Sequence, residues 1–146
     1  MTNPISADIS IIKLWFERAV PNPTDKNRAV QIGVHFEEVA EMAEAIREDK
    51  VHEKLAYIAD FHKRLNQGFA TDDPLVNRKE LLDSLCDQIV TAVGVAHMFG
   101  MDIAGALSEV NRSNWSKFID GQPVFNEHGK IAKGPEYTPP NLDSFL

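Results

Sequence analysis

Glu37-Glu38-Val39-Ala40-Glu41-Met42-Ala43-Glu44 and Glu80-Leu81-Leu82-Asp83-Ser84-Leu85-Cys86-Asp87 decide how this chain reads. Both stretches lie in segments with the apolar spacing of buried helix. Carboxylates are almost never fully buried unless they are paired or bound to a metal. On a helix, residues three and four apart share a face. Glu38 and Glu41 are three apart, as are Glu80 and Asp83, and Asp87 follows four beyond Asp83. Each helix therefore projects two or three carboxylates from one side. If the two helices pack antiparallel, four to six carboxylates converge. Desolvating such charges costs on the order of several kcal/mol per ion. A hard divalent cation relieves that cost, and an all-oxygen donor set selects magnesium, manganese or calcium over zinc or copper.

The plain alternative is a solvated acidic face. Two features oppose it. The second stretch is too apolar for a large solvated face, yet holds Asp83 and Asp87. The first has no basic residue at the i+4 positions that would make surface ion pairs. A carboxylate di-iron bundle needs a Glu-x-x-His pair on each of two helices. No such pair occurs here, and His35, His62 and His97 read as core or boundary residues.

Working outward, the pattern predicts an all-α chain. A first helix covers Asp8 to Ala19, with Ile11, Ile12, Trp15 and Phe16 on its apolar stripe, and Pro21-Asn22-Pro23-Thr24 stops it. A second runs from Asp25 or Lys26 to about Glu48. A third spans Val51 to Asn66, followed by a loop from Gln67 to Pro74. A fourth, from Leu75 or Asn77 to Phe99, is apolar nearly all round. Such a helix is central or lies at a subunit interface. Gly100 reads as its C-cap and Asp102 as the N-cap of a fifth helix, Ile103 to about Phe118. Residues 1–7 are expected to be flexible and 119–146 to form an extended tail. A small β-hairpin is expected there, Val124-Phe125 with Lys130-Ile131 around Asn126 to Gly129.

The chain has 146 residues, which suits one domain, 1–146. Its net charge of −7 argues against a nucleic-acid binder, which needs a basic face. The single cysteine, Cys86, forms no internal disulfide and reads as a small core residue. Met1 to Ser10 lacks the features of a signal segment, and no apolar run reaches transmembrane length. The expectation is a cytoplasmic protein with no membrane partner.

Oxygen-ligated magnesium usually serves phosphate chemistry. Groups able to grip phosphate oxygens are Arg112, Lys117, Lys130 and Lys133, with Asn111 and Asn114 as neutral donors. Asn114 and Lys117 stand three apart at the end of the last helix.

Glu38-x-x-Glu41 followed by Glu80-x-x-Asp83, on two helices of an α-only chain, resembles the all-α nucleoside triphosphate pyrophosphohydrolases. That superfamily includes the MazG proteins, the phosphoribosyl-ATP pyrophosphohydrolases and the dimeric dUTPases. The run Val110-Asn111-Arg112-Ser113-Asn114-Trp115-Ser116-Lys117-Phe118 resembles the Asn/Lys segment of MazG-like members. The opening Trp15 to Ala19, the Pro23-Thr24 turn and the tail from Gly129 to Pro140 resemble small MazG-like proteins too. The resemblance covers most of the chain. It implies a four- to five-helix bundle of the MazG-like type, and hydrolysis of the α–β phosphoanhydride to a monophosphate and pyrophosphate. It further implies Mg²⁺, with Mn²⁺ as a substitute, on Glu38, Glu41, Glu80 and Asp83. Glu37 or Asp87 would orient or deprotonate water, and Asn111, Asn114, Lys117 and Lys130 would bind substrate. A homodimer or homotetramer is implied, in accord with the over-apolar fourth helix.

One departure stands out: about forty residues separate Glu41 from Glu80, more than in compact MazG domains. The extra segment leaves base specificity open, including a dUTPase-like or dCTPase-like member. Trp15, Phe16, Phe61 and Phe69 are candidates for stacking on a base, although each reads first as core. From a different class, the chain also fits a helical interaction protein that kept the fold and lost the activity.

Overall fold

Five α-helices and no strand make up the described residues, 4–65 and 68–146, of a computed structural model of the chain. They are α1 Pro4–Ala19, α2 Asp25–Ala45, α3 Asp49–Arg64, α4 Arg78–Met98 and α5 Ile103–Trp115, with a short 3-10 turn at Asp143–Phe145. The all-α expectation therefore holds. Met1 to Asn3, part of the segment expected to be flexible, lie outside the described residues, as do Asn66 and Gln67, where the end of the third helix and its loop were expected. The chain divides into two compact units. One comprises the N-terminal segment ending at Pro21 with Pro74–Val124 and Ala132–Leu146; the other comprises Asn22–Asp73 and Phe125–Ile131.

The second unit is a helical hairpin with a turn of the tail. Thr24 starts α2: its side chain accepts from the Asn27 N–H at 3.1 Å, and the Asn27 side chain accepts from the Thr24 N–H at 2.9 Å. This reciprocal cap satisfies two backbone donors that the first turn leaves without partners. Arg47, at φ 63°, breaks the helix after Ala45, and α3 begins at Asp49. The two helices run antiparallel. His52 Nδ1 lies 2.9 Å from the Ala40 carbonyl near the connection, and Lys26 Nζ reaches the Leu65 carbonyl at the far end.

Small residues set how closely they approach. Ala29, Gly33, Ala40 and Ala43 of α2 and Ala59 of α3 are buried. A Cβ built on Gly33 would lie 2.6 Å from the Ala59 carbonyl oxygen. Gly33→Val is therefore expected to destabilise the hairpin by about 2 kcal/mol or more, because overpacking outweighs any gain in helix propensity. Denaturant unfolding of the two proteins checks this.

In the first unit, α5 is the centre. Trp15 of α1 stacks on buried Phe118, with centroids 5.5 Å apart, and its indole N–H donates to the Asn114 carbonyl at 3.0 Å. Trp115 meets Phe118 edge-on. Of the four residues considered for base stacking, Trp15 and Phe16 thus join an aromatic cluster of their own unit. Helix α1 starts earlier than the apolar stripe suggested, because proline at a first helical position is preorganised for the helix and needs no N–H partner. Asn77 and Asp102 cap α4 and α5, and Gly100 takes φ +74° after α4, a backbone value that suits glycine.

Helix α4 is the exception to ordinary burial. Only Ala96 is buried along it, while Leu82, Val90, Met98 and Phe99 are 65%, 66%, 83% and 67% exposed. Cys86 is exposed, not a core residue as expected, because among the described residues α5 is the only helix that α4 meets within its unit. Among the described residues no single helix is long and apolar enough to cross a membrane.

The tail lies along α5. Arg112 bonds Glu109, the Thr138 hydroxyl and the Pro139 carbonyl; the Ser113 hydroxyl donates to the Thr138 carbonyl at 2.9 Å. Phe145 accepts from the Asp102 N–H at 2.8 Å. The hairpin expected between Val124 and Ile131 is reduced to one isolated antiparallel bridge, Phe125 with Ile131. The Asn126 side chain accepts from the N–H groups of His128 and Lys130, which closes a tight turn in place of two paired strands. Pro123 supplies no N–H to a ladder.

Glu109 anchors this strap. The Arg112 hydrogen bonds, followed by the Asn141 N–H, hold its carboxyl at about 2, below the ordinary 4.5. A lowered carboxyl stabilises the fold above its ordinary range and loses that contribution as the pH falls through the folded value. Amide protection at Thr138 and Asn141 is therefore expected to fall between pH 4.5 and about 2. In Glu109→Gln it is expected to be low throughout and flat over that window, as hydrogen exchange would show.

Candidate functional site

The first acidic stretch occupies the C-terminal half of α2. Glu38 and Glu41 are exposed and share one side of the helix. Glu37 differs from both. Its Oε1 accepts from Lys63 Nζ at 2.9 Å and its Oε2 from Lys130 Nζ at 2.8 Å. Partial burial pushes this carboxyl up, but the hydrogen bonds and charges of Lys130 and Lys63 together outweigh it, and the net shift is downward. Glu37 is thus a clamp joining α2, the end of α3 and the 125–131 turn. A carboxylate held by two ammonium groups is a poor proton acceptor. Lys130, expected to bind substrate, spends a proton on this clamp. Lys63 had no signal in the sequence, because its partner lies 26 residues away on another helix.

The second stretch begins at the capped end of α4. The Asn77 side chain accepts the Glu80 N–H at 3.2 Å. Glu80, Asp83 and Asp87 are all exposed and line one face. At 100° per residue, Leu81, Leu82, Leu85, Ile89 and Val93 fall on the opposite side. Among the described residues, the side chains of Glu41, Glu80, Asp83 and Asp87 accept no hydrogen bond and form no ion pair. At these four residues the donors are carboxylate oxygens without a competing cation, which fits a hard divalent ion in chemistry. One of the four stands on α2 and three on α4. Among the described residues no group of three or more His, Cys, Asp or Glu side chains gathers closely enough to hold a metal ion.

The basic and amide residues expected to touch substrate divide in two. Lys117 Nζ donates to Asn114 Oδ1 at 2.7 Å, so these two act as a pair at the end of α5. Asn111 is buried, and its amide donates to the backbone carbonyl and carboxylate of Asp8 at 3.3 and 3.2 Å. It ties α1 to α5. Arg112 is committed to the strap, and Lys133 lies over the Tyr137 ring, 4.8 Å from its centroid. The aromatic residues of the hairpin surround His62, which stacks on Phe36 and meets Phe61 and Phe69. Its Nδ1 is buried without a hydrogen-bond partner among the described residues. Comparison of the chain with protein-family models, with curated proteins and with solved structures finds no match.

Proposed function

We propose that this chain is a magnesium-dependent nucleotide pyrophosphohydrolase of the MazG-like all-α type, acting in the cytoplasm on a nucleoside triphosphate or related nucleotide. Water adds at the α phosphorus, the α–β anhydride bond breaks, and a monophosphate and pyrophosphate leave. The observation that carries this reading is the pair of motifs Glu38-x-x-Glu41 and Glu80-x-x-Asp83, each on one exposed helix face. Those four residues would hold Mg²⁺, or Mn²⁺ in its place. Bound there, the cation would neutralise phosphate charge and ease deprotonation of water. Asp87, exposed beside Asp83 and without an ion-pair partner among the described residues, suits the water-orienting role better than Glu37, whose charge is spent on two lysines. The Asn114/Lys117 pair offers one amide and one ammonium to the substrate phosphates.

The active form in this reading is a homodimer or homotetramer, with a second copy covering the apolar face of α4. The bare α4 also favours a second reading, a silent helical interaction protein. Incubating the purified protein with Mg²⁺ and a panel of canonical and modified nucleotides separates the two. Release of pyrophosphate with a matching monophosphate is expected, and the preferred base distinguishes a general enzyme from a dUTPase-like or dCTPase-like one. No release from any nucleotide, together with no Mg²⁺ binding by calorimetry, would overturn the enzymatic reading.

A further inference from the structure

We propose that the cleft between the N-terminal half of α2, the end of α3 and the 126–129 turn binds a phosphorylated small molecule, with Lys26 as its principal cation. The cleft lies wholly within the helical-hairpin unit and encloses about 420 Å³. That is within the range of small-ligand pockets, about 300–1,000 Å³. Its charged lining is Lys26, Lys63, Arg64 and the single acid Glu127, with His128 at the turn. Three cations and one carboxylate line it, with Lys63 and Arg64 paired to Glu37 and Asp60 beside it.

Lys26 is fixed in place. Its Nζ donates to the carbonyls of Lys63 at 2.7 Å and Leu65 at 2.6 Å, where α3 ends. Two of its three protons are used and one remains. None of the ion pairs among the described residues involves it. Capping of α3 explains why a lysine stands there. Lys63, Arg64 and His128 each stand beside an acid, Glu37, Asp60 and Glu127, which leaves Lys26 as the lining cation outside the ion pairs among the described residues. The turn is preformed: Asn126 accepts from the His128 and Lys130 N–H groups, and Gly129 holds φ +74°. Lys63 Nζ is held by Glu37, and an ammonium has two further protons to offer a ligand. A phosphate would collect charge-assisted hydrogen bonds from several of these donors.

None of Glu38, Glu41, Glu80 and Asp83 lines the cleft, so binding here needs no metal and stands apart from the pyrophosphohydrolase reading. The test is an NMR titration of the full, ¹⁵N-labelled protein in EDTA, with inorganic pyrophosphate and, separately, a nucleoside 5′-diphosphate. Saturable shifts of the Val30, Arg64 and Gly129 amides are expected with at least one probe; a preference for the second would assign part of the cleft to the nucleoside. Lys26→Gln, and the double variant Arg64→Gln/His128→Asn at exposed positions, should each weaken binding roughly tenfold, the scale of one charge-assisted hydrogen bond. The absence of saturable shifts with both probes, or affinity unchanged in both variants, would overturn the proposal. Because magnesium is excluded, either outcome leaves the catalytic reading to its own test.

Discussion

Replacing Glu41 with Gln, or Asp83 with Asn, is expected to lower pyrophosphate release at least about a hundredfold while leaving the helices intact. Both side chains are exposed and accept no hydrogen bond among the described residues, so neither supports the fold. Each change keeps the size and removes one negative charge. If these oxygens hold a divalent cation, losing one ligand forfeits several kcal/mol of charge stabilisation, which is more than two orders of magnitude in rate. Circular dichroism and thermal unfolding should match the parent protein. Calorimetry should show weaker Mg²⁺ binding in both variants. Glu37→Gln provides the contrast. It unlatches Lys63 and Lys130, so its main effect should be on the stability of the hairpin unit. A hundredfold loss of rate in Glu37→Gln with unchanged stability would return the role of base to that residue.

The second large effect concerns α4. Leu85→Asp combined with Ile89→Lys is expected to convert an oligomer into a single chain of 16.3 kDa, read by light scattering after gel filtration. The parent protein should show twice or four times that mass. Leu81, Leu82, Leu85, Ile89 and Val93 are 40–65% exposed on one side of the helix. Fully burying an aliphatic side chain contributes about 1.5–3 kcal/mol, so a row of five left about half bare forfeits several kcal/mol, comparable with the net stability of a small domain. The acidic residues lie on the other side, so the change leaves their face untouched. A parent protein that is monomeric at micromolar concentration would contradict the account of α4.

Much of the fold is legible because local chemistry sets it. The Pro21-Asn22-Pro23 stop, the Thr24 cap, the Asn77 and Asp102 caps and Gly100 all mark helix ends through contacts within four residues. The carboxylate pairs are legible for the same reason, since three-residue spacing alone puts them on one face. What stayed hidden is long-range. The partner of Asn111 is Asp8, 103 residues away, and nothing near Asn111 marks it as buried. Lys130 meets Glu37 across 93 residues. The Lys63 end of that clamp looks like any basic residue in the last turn of a helix. Cys86 and its apolar neighbours read as core because the spacing of apolar residues on a helix does not say what covers them. In the tail, the residue types around Asn126 mark a turn but not how far the pairing extends beyond the single Phe125–Ile131 bridge.

The most direct test of the central claim is hydrolysis in ¹⁸O-labelled water with Mg²⁺, using whichever nucleotide the panel selects. Mass spectrometry of the products should find the label in the nucleoside monophosphate and none in the pyrophosphate, as attack at the α phosphorus requires. Label in pyrophosphate or release of orthophosphate would contradict the account, as would no turnover of any nucleotide by a folded protein.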